Sequence, residues 1–92
     1  MTTELLNAGD HQGERPFVSD ADDTTFEERV LRRSFEVPVL VDCWAEWCGP
    51  CKTLGPTLER ITERYSGRFE LVKVDVDRAP QVAMMLRIQS VP

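Results

Sequence analysis

Residues 37–54 read VPVLVDCWAEWCGPCKTL. From Val37 to Ala45 the side chains are apolar on both alternating faces, which is typical of a parallel strand at the centre of a sheet. From Pro50 to Tyr65 apolar residues recur instead at helical spacing, namely Leu54, Leu58, Ile61 and Tyr65. The stretch therefore predicts a buried strand that leads directly into a helix, with two cysteines at the junction.

The sequence on either side continues this alternation of strands and helices. The predicted elements are a strand at Phe17–Val18, a helix from Asp22 or Asp23 to about Ser34, a strand from Phe69 to Val76, a short helix from Pro80 to about Arg87, and an extended end from Ile88 to Pro92. Either aspartate can cap the first helix, whose apolar face is Phe26, Val30 and Leu31. The order β-α-β-α-β-α predicts an α/β fold with a parallel sheet and right-handed crossovers.

The two ends of the chain differ from its middle. Residues 1–15 are polar and lack periodicity, so we interpret them as a flexible tail in which His11 is solvated, and residues 16–92 as one domain. After residues 88–92 no further strand protects the edge of the predicted sheet, and exposed edges invite aggregation. We therefore expect the domain to be incomplete.

Composition excludes several classes of protein. The chain is 41% hydrophobic and 29% charged, as in ordinary globular proteins. Its net charge of -5 and scattered basic residues argue against a nucleic-acid partner. No apolar run has the length of a membrane span, and the N-terminus lacks a signal-peptide pattern. We expect a cytoplasmic protein without a membrane partner.

The pair Cys48 and Cys51 has the spacing and the position of a redox site. Residues three apart share a helical face, so the two thiols can reach disulfide distance. A helix N-terminus favours the thiolate, which predicts a lowered pKa for the outer Cys48, whereas Cys51 lies one turn in and acts on the intermediate. Pro50 suits the first helical turn, and Gly49 lets a substrate backbone approach.

The cysteine pair has two other possible uses. A structural zinc site needs four ligands, and the remaining candidates are His11 and Cys43, which lies in the predicted strand. A structural disulfide that closes so small a loop removes little chain entropy. Redox chemistry is favoured over both, with no metal and with Cys43 acting as a small buried hydrophobe.

Asp42 is a carboxylate in a strand otherwise made of Val, Leu, Cys and Trp. Burial of a charge is costly, so we expect its pKa to be raised, which suits proton transfer near neutral pH. A structural polar residue with a hydrogen-bonded partner is the other interpretation.

Residues 41–52 resemble the active-site signature of the thioredoxin family almost position by position, and the resemblance extends from about Phe17 to Pro92. It implies a thioredoxin-like fold. Cys43 departs from the family, which commonly has Phe there. The chain also lacks the two antiparallel strands and the final helix that follow in thioredoxins. We therefore expect 92 residues alone to be marginally stable or unfolded, with activity residing in a longer chain.

The resemblance also implies an activity. It is protein-disulfide reduction by dithiol–disulfide exchange through Cys48 and Cys51, with no bound cofactor and with recharging by a flavin- and NADPH-dependent thioredoxin reductase. Asp42 would help to deprotonate Cys51, and Lys73 would interact with Asp42. Around the loop of Gly49 and Pro50, the substrate surface would include Trp47 and the step Val91-Pro92, which resembles the cis-proline of the family. The partners would be disulfide-containing proteins and the reductase.

A second hypothesis belongs to another class of protein. Some bacterial chaperones fuse a thioredoxin-like domain to tetratricopeptide repeats, and the sequence from Phe17 to Val39 resembles their N-terminal domain. The chain would then bind unfolded clients, with redox chemistry as an addition. Repeats of about 34 residues after Pro92 would distinguish this chaperone from a free thioredoxin.

Overall fold

A computed structural model of the chain describes residues 15–91, so Pro92 and nearly all of the predicted N-terminal tail, His11 included, lie outside the described residues. The elements are β1 (Val18–Ala21), a π-helix (Glu27–Arg32), a 3-10 turn (Arg33–Phe35), β2 (Val39–Trp44), α1 (Gly49–Arg64), β3 (Glu70–Asp75) and α2 (Pro80–Met85). In the described part, no helix is both long and apolar enough to span a membrane. The predicted order of strands and helices is confirmed.

The three strands form one parallel sheet in the order β1-β3-β2. The central place expected for the strand before the cysteines is wrong within residues 15–91, because β3 has a neighbour on both sides and β2 on one. Leu40 of β2 is accordingly 43% exposed. An apolar pattern on both faces reports burial above and below a strand and does not by itself fix the number of strand neighbours.

The strand register gives one face of the sheet a row of charged residues beside the buried Val18 and Leu71, and gives the opposite face an apolar core. Residues in register on parallel strands point to the same side, and the side alternates along each strand. Asp20, Lys73 and Asp42 are in register across β1, β3 and β2 and form one row on the face that α1 covers. The next register row, on the opposite face, is Ala21, Val74 and Cys43.

The apolar face is covered by the π-helix and α2. The buried residues of this core are Ala21, Phe26, Val30, Val72, Val74, Ala79 and Val82, with Val39, Val41 and Cys43 packed against them. The predicted cap at Asp22 closes the turn before the first helical segment, since its Oδ1 accepts from the backbone N–H groups of Thr24 at 2.9 Å and Thr25 at 3.2 Å, whereas the N-cap of the segment is Phe26, without a side-chain cap bond. The segment is π-helical and shorter than predicted, and Leu31 is 47% exposed, lining an open groove with Phe26 and Val82.

Helix α1 begins and ends one residue earlier than predicted, and it presents a different face to the sheet. Its buried residues are Cys51, Gly55 and Thr62. The predicted apolar stripe is instead partly open, with Leu54 38%, Ile61 39% and Tyr65 50% exposed. Small side chains on the inner face let the helix approach the sheet closely, and the apolar stripe lies partly open beside that contact.

Candidate functional site

Cys48 and Cys51 lie at the junction of β2 and α1 and form a disulfide with their Cα atoms 5.4 Å apart. Cys48 is the N-cap of α1 in extended conformation, and its Sγ accepts a hydrogen bond from the backbone N–H of Cys51 at 3.2 Å. Pro50 lies in the first turn, where its missing N–H leaves no helical hydrogen bond unmade. The local sequence therefore places one sulfur directly on the unpaired donors of the helix start.

Both cysteines are buried, Cys48 being 4% and Cys51 5% exposed. The expectation that Cys48 is the more exposed of the two is wrong for this disulfide form. The cap turns its Sγ back over α1, where the pair packs with Ala45 and, at its margin, with Val76 and Val91.

Open surface surrounds the cysteine pair. Gly49 and Pro50 are exposed, and no atom lies within 4 Å of the place where a Cβ of Gly49 would be, so a partner backbone has room there. Trp47 is 67% exposed, and its Nε1 donates to Asp77 Oδ2 at 2.8 Å. Asp77 escaped the sequence analysis, although its place just after β3 sets it at the same sheet edge as the loop after β2. Pro92, the other half of the predicted cis-proline step, is outside the described part.

Asp42 is 8% exposed and lines a cavity of about 240 Å³ together with Cys51. Burial raises the pKa of its carboxyl group, and the nearby positive charge of Lys73 partly opposes this. The cavity also contacts Trp44, whose Nε1 is buried without a hydrogen-bond partner in the described part of the chain. The inner cysteine and a carboxyl group of raised pKa thus line the same cavity.

Lys73 extends toward α1, where its Nζ donates to Glu59 Oε2 at 2.7 Å. The same Nζ lies 5.8 Å from the centre of the Trp44 ring. Among the residues that the structure describes, no ion pair joins Lys73 to Asp42, its register neighbour. Glu59 escaped the sequence analysis, yet it lies four residues after Gly55 on the inner side of α1, and that spacing was the available signal.

Cys43 lies apart from the cysteine pair. It packs with the core on the opposite face of the sheet, and burial, aided by the charge of Asp42, raises the pKa of its thiol. Within residues 15–91, no group of three or more His, Cys, Asp or Glu side chains is placed to hold a metal ion.

The geometry can be set beside known proteins. The family model of thioredoxin matches residues 17–92. The chain belongs to the thioredoxin family. It is 47% identical over 70 residues to thioredoxin 1 of Nostoc sp. (strain PCC 7120 / SAG 25.82 / UTEX 2576), a match that covers 76% of this chain and 64% of that one. With the thioredoxin of Streptomyces clavuligerus it shares 47% identity over 75 residues, covering 82% of this chain and 67% of the relative.

The family resemblance extends to three dimensions. A crystal structure of chloroplastic thioredoxin z superposes with a TM-score of 0.72 at 39% sequence identity, covering 82% of this chain and 65% of that one. The fold is therefore a thioredoxin-like α/β fold, as the sequence predicted. The chain spans about two thirds of the length of the relatives described here.

Proposed function

We propose that the chain is a thiol–disulfide oxidoreductase that reduces protein disulfides through Cys48 and Cys51. The observation that carries the proposal is the cysteine pair at the N-terminus of α1, with Cys48 Sγ capping the helix. Membership of the thioredoxin family supports the same activity.

The first step uses the helix start. In the reduced chain the backbone N–H of Cys51 and the positive end of the α1 dipole stabilise a Cys48 thiolate. This thiolate attacks one sulfur of a target disulfide, so that a bond forms between Cys48 and that sulfur while the second target sulfur leaves as a thiolate and takes up a proton.

The second step uses the cavity. Ionised Asp42 accepts the proton of the Cys51 thiol, with which it shares the cavity. The Cys51 thiolate then attacks Cys48 Sγ, the disulfide seen in the structure re-forms, and the first target sulfur leaves as a thiolate. Two electrons have passed from the dithiol to the target. A carboxyl group of raised pKa suits this role better than an ordinary one, because it holds the accepted proton closer to neutral pH.

The target, the reductant and the location belong to the same proposal. The substrates are disulfide-containing proteins, which bind over Trp47, Gly49, Pro50 and the segment Val91-Pro92. The disulfide is recharged by an NADPH-dependent thioredoxin reductase, and the domain itself uses no bound cofactor. A cytoplasmic location fits a dithiol reductant, because thiols are kept reduced there. The alternative, a client-binding domain of a tetratricopeptide-repeat chaperone, is not favoured, since the matched relatives are named as thioredoxins.

The test is a set of three serine variants of the protein, assayed for reduction of insulin disulfides with dithiothreitol as the reductant. We expect Cys48→Ser to lose at least about 100-fold in rate, because the attacking thiolate is gone. Cys51→Ser should accumulate a mixed disulfide with the target on Cys48. Cys43→Ser is the matched control and should retain the parental rate.

Alkylation against pH, resolved for each cysteine by mass spectrometry, tests the thiolate directly. Cys48 should react below the free-thiol pKa of about 8.5, while Cys43 and Cys51 stay protected. The proposal would be refuted by two results together. In the first, all three cysteines titrate alike near that value. In the second, all three serine variants match the parent in the insulin assay.

A further inference from the structure

Lys73 lies among three carboxylates that belong to three different elements. Asp20 of β1 and Asp42 of β2 flank it in the sheet register, and Glu59 reaches it from α1. The ion pair goes to Glu59, with Nζ and Oε2 2.7 Å apart, although Glu59 lies on another element and the two aspartates lie on the adjacent strands. The packing of α1 against the sheet therefore determines which carboxylate pairs with Lys73.

Other charges face this group from the neighbouring elements. Arg15 pairs with the second oxygen of Glu59, and Lys52 lines the cavity that Lys73 and Asp42 share. Arg29 of the π-helix donates to the backbone oxygen of Asp20. At the carboxyl end of the sheet, the adjoining cavity is lined by Lys73 together with the charged residues Asp20, Asp22, Arg29, Glu46, Asp75 and Arg78.

Glu59 is held on the inner side of its helix. Its side chain is 14% exposed, and that of Lys73 is 22% exposed, so neither charge is fully solvated. A charged group that is largely removed from water needs a partner of opposite charge, and Glu59 and Lys73 provide this partner for each other. Both residues also line the cavity that holds Cys51 and Asp42, which brings the pair into the space where the proton would be exchanged.

We propose that Glu59 is a positioning residue of the redox site: by pairing with Lys73 it keeps the ammonium group from forming a direct ion pair with Asp42, so that the Asp42 carboxylate stays available to the Cys51 proton. The inference rests on the proposed function of Cys51 and Asp42, and it adds to that function the residue that sets the charge beside Asp42.

The physical reason is a competition for one cation. A direct ion pair lowers a carboxyl pKa by about 1–3 units, which would leave Asp42 a poor proton acceptor near neutral pH. With Glu59 in place, burial dominates the pKa of Asp42 and raises it, although the charge of Lys73 opposes this. Without Glu59, the ammonium group has Asp42 and Asp20 as its nearest remaining partners in the register.

The experiment is a carbon-13 NMR titration of the Asp42 carboxyl group in the reduced 92-residue chain. In Glu59→Gln we expect the Asp42 pKa to fall by about 1 unit, since the freed ammonium group pairs with Asp42. Glu63→Gln is the matched control, because it makes the same change at an exposed position of α1, and it should leave the Asp42 pKa unchanged. An unchanged Asp42 pKa in Glu59→Gln overturns the proposal.

A double-variant cycle separates positioning from simple loss of a negative charge. In a Lys73→Met background no cation remains to be redirected, so adding Glu59→Gln should lower the Asp42 pKa by much less than it does in the parent. An equal fall in both backgrounds would show that Glu59 acts on Asp42 directly and would overturn the positioning role. If Glu59→Gln does not fold, Glu59→Asp replaces it, because this variant draws the carboxylate back by one methylene. We expect Glu59→Asp to lower the Asp42 pKa by a smaller amount. An unchanged Asp42 pKa in Glu59→Asp would refute the proposal.

The two proposals fail in different ways. The titration needs no turnover, so a normal insulin assay with an unmoved Asp42 pKa refutes the role of Glu59 and leaves the reductase activity standing. In the reverse result, the Asp42 pKa falls in Glu59→Gln as expected, but Cys48→Ser is as active as the parent. That result refutes the reductase activity and leaves the role of Glu59 standing.

Discussion

The face of the sheet beneath the π-helix and α2 and the face beneath α1 are built from the same three strands, one residue apart along each. The first carries a buried apolar row centred on Val74, and the second carries the row Asp20, Lys73 and Asp42. On the first face the covering segments bury Phe26 and Val30. On the second, the buried Val18 and Leu71 lie beside the charged row, and α1 leaves its own apolar stripe partly open.

The difference shows where this small domain places stability and where it places chemistry. Apolar side chains that leave water stabilise the fold without directional requirements. Asp42, Lys73 and Glu59 gain little by burial, and they line a cavity that also contacts Cys51. The α1 face therefore places buried ionisable groups beside the inner cysteine.

The largest expected effect is on the apolar face. Phe26 is 4% exposed within the core, so Phe26→Ala should lower the free energy of unfolding by about 3–5 kcal/mol, through lost burial and the cavity left behind. Phe35 is 89% exposed and provides the same substitution in solvent, where we expect a change within about 0.5 kcal/mol. Urea unfolding followed by circular dichroism measures both. Similar losses for the two variants would contradict the assignment of the core to this face.

On the charged face the expected change has the opposite sign. Burial raises the pKa of Asp42 above its unfolded value of about 3.9, so the folded chain loses stability as the pH rises through the folded pKa. Asp42→Asn removes this loss. The variant should match the parent below pH of about 3.9 and exceed it at pH 7 by about 1.4 kcal/mol for each unit by which the pKa is raised.

Urea unfolding at a series of pH values checks this prediction. Glu63→Gln is the control, because it removes an exposed carboxylate of α1, and it should stay within about 0.5 kcal/mol of the parent. A variant Asp42→Asn that is less stable than the parent at pH 7 would mean that the ionised carboxylate is stabilised by the fold, and the contrast between the two faces would then be lost.

The smallest expected effect concerns the cover of the apolar face. The carboxylate of Asp23 accepts from the backbone N–H groups of Val82 at 2.9 Å and Gln81 at 3.2 Å, and it thereby caps α2, whose own N-cap Ala79 offers no side-chain acceptor. Asp23→Ala should cost about 1 kcal/mol, and Asp23→Asn, which keeps one acceptor oxygen, should cost less. Hydrogen exchange of the Val82 amide reports the loss locally. Unchanged protection in Asp23→Ala would show that α2 is held by packing alone.

Much of the site was predictable because its signals are local. The cysteine spacing, Pro50 at the helix start and a carboxylate in an apolar strand are each read from a few consecutive residues, and the structure brings Cys48, Cys51 and Asp42 together. The burial of Cys48 was not predictable, because it depends on the disulfide and on contacts with Val76 and Val91 from distant parts of the chain.

By itself the sequence determined the order of strands and helices, the position of the redox pair and the unusual place of Asp42, because period, composition and spacing act over short distances. Only the tertiary structure decided three pairings: Lys73 with Glu59, 14 residues apart, Trp47 with Asp77, 30 apart, and Asp23 with the start of α2, 58 apart. Each depends on the strand order and on the side of α1 that docks on the sheet. That side was set by the small inner residues Cys51 and Gly55, which allow close approach, and its choice placed Glu59 beside Lys73.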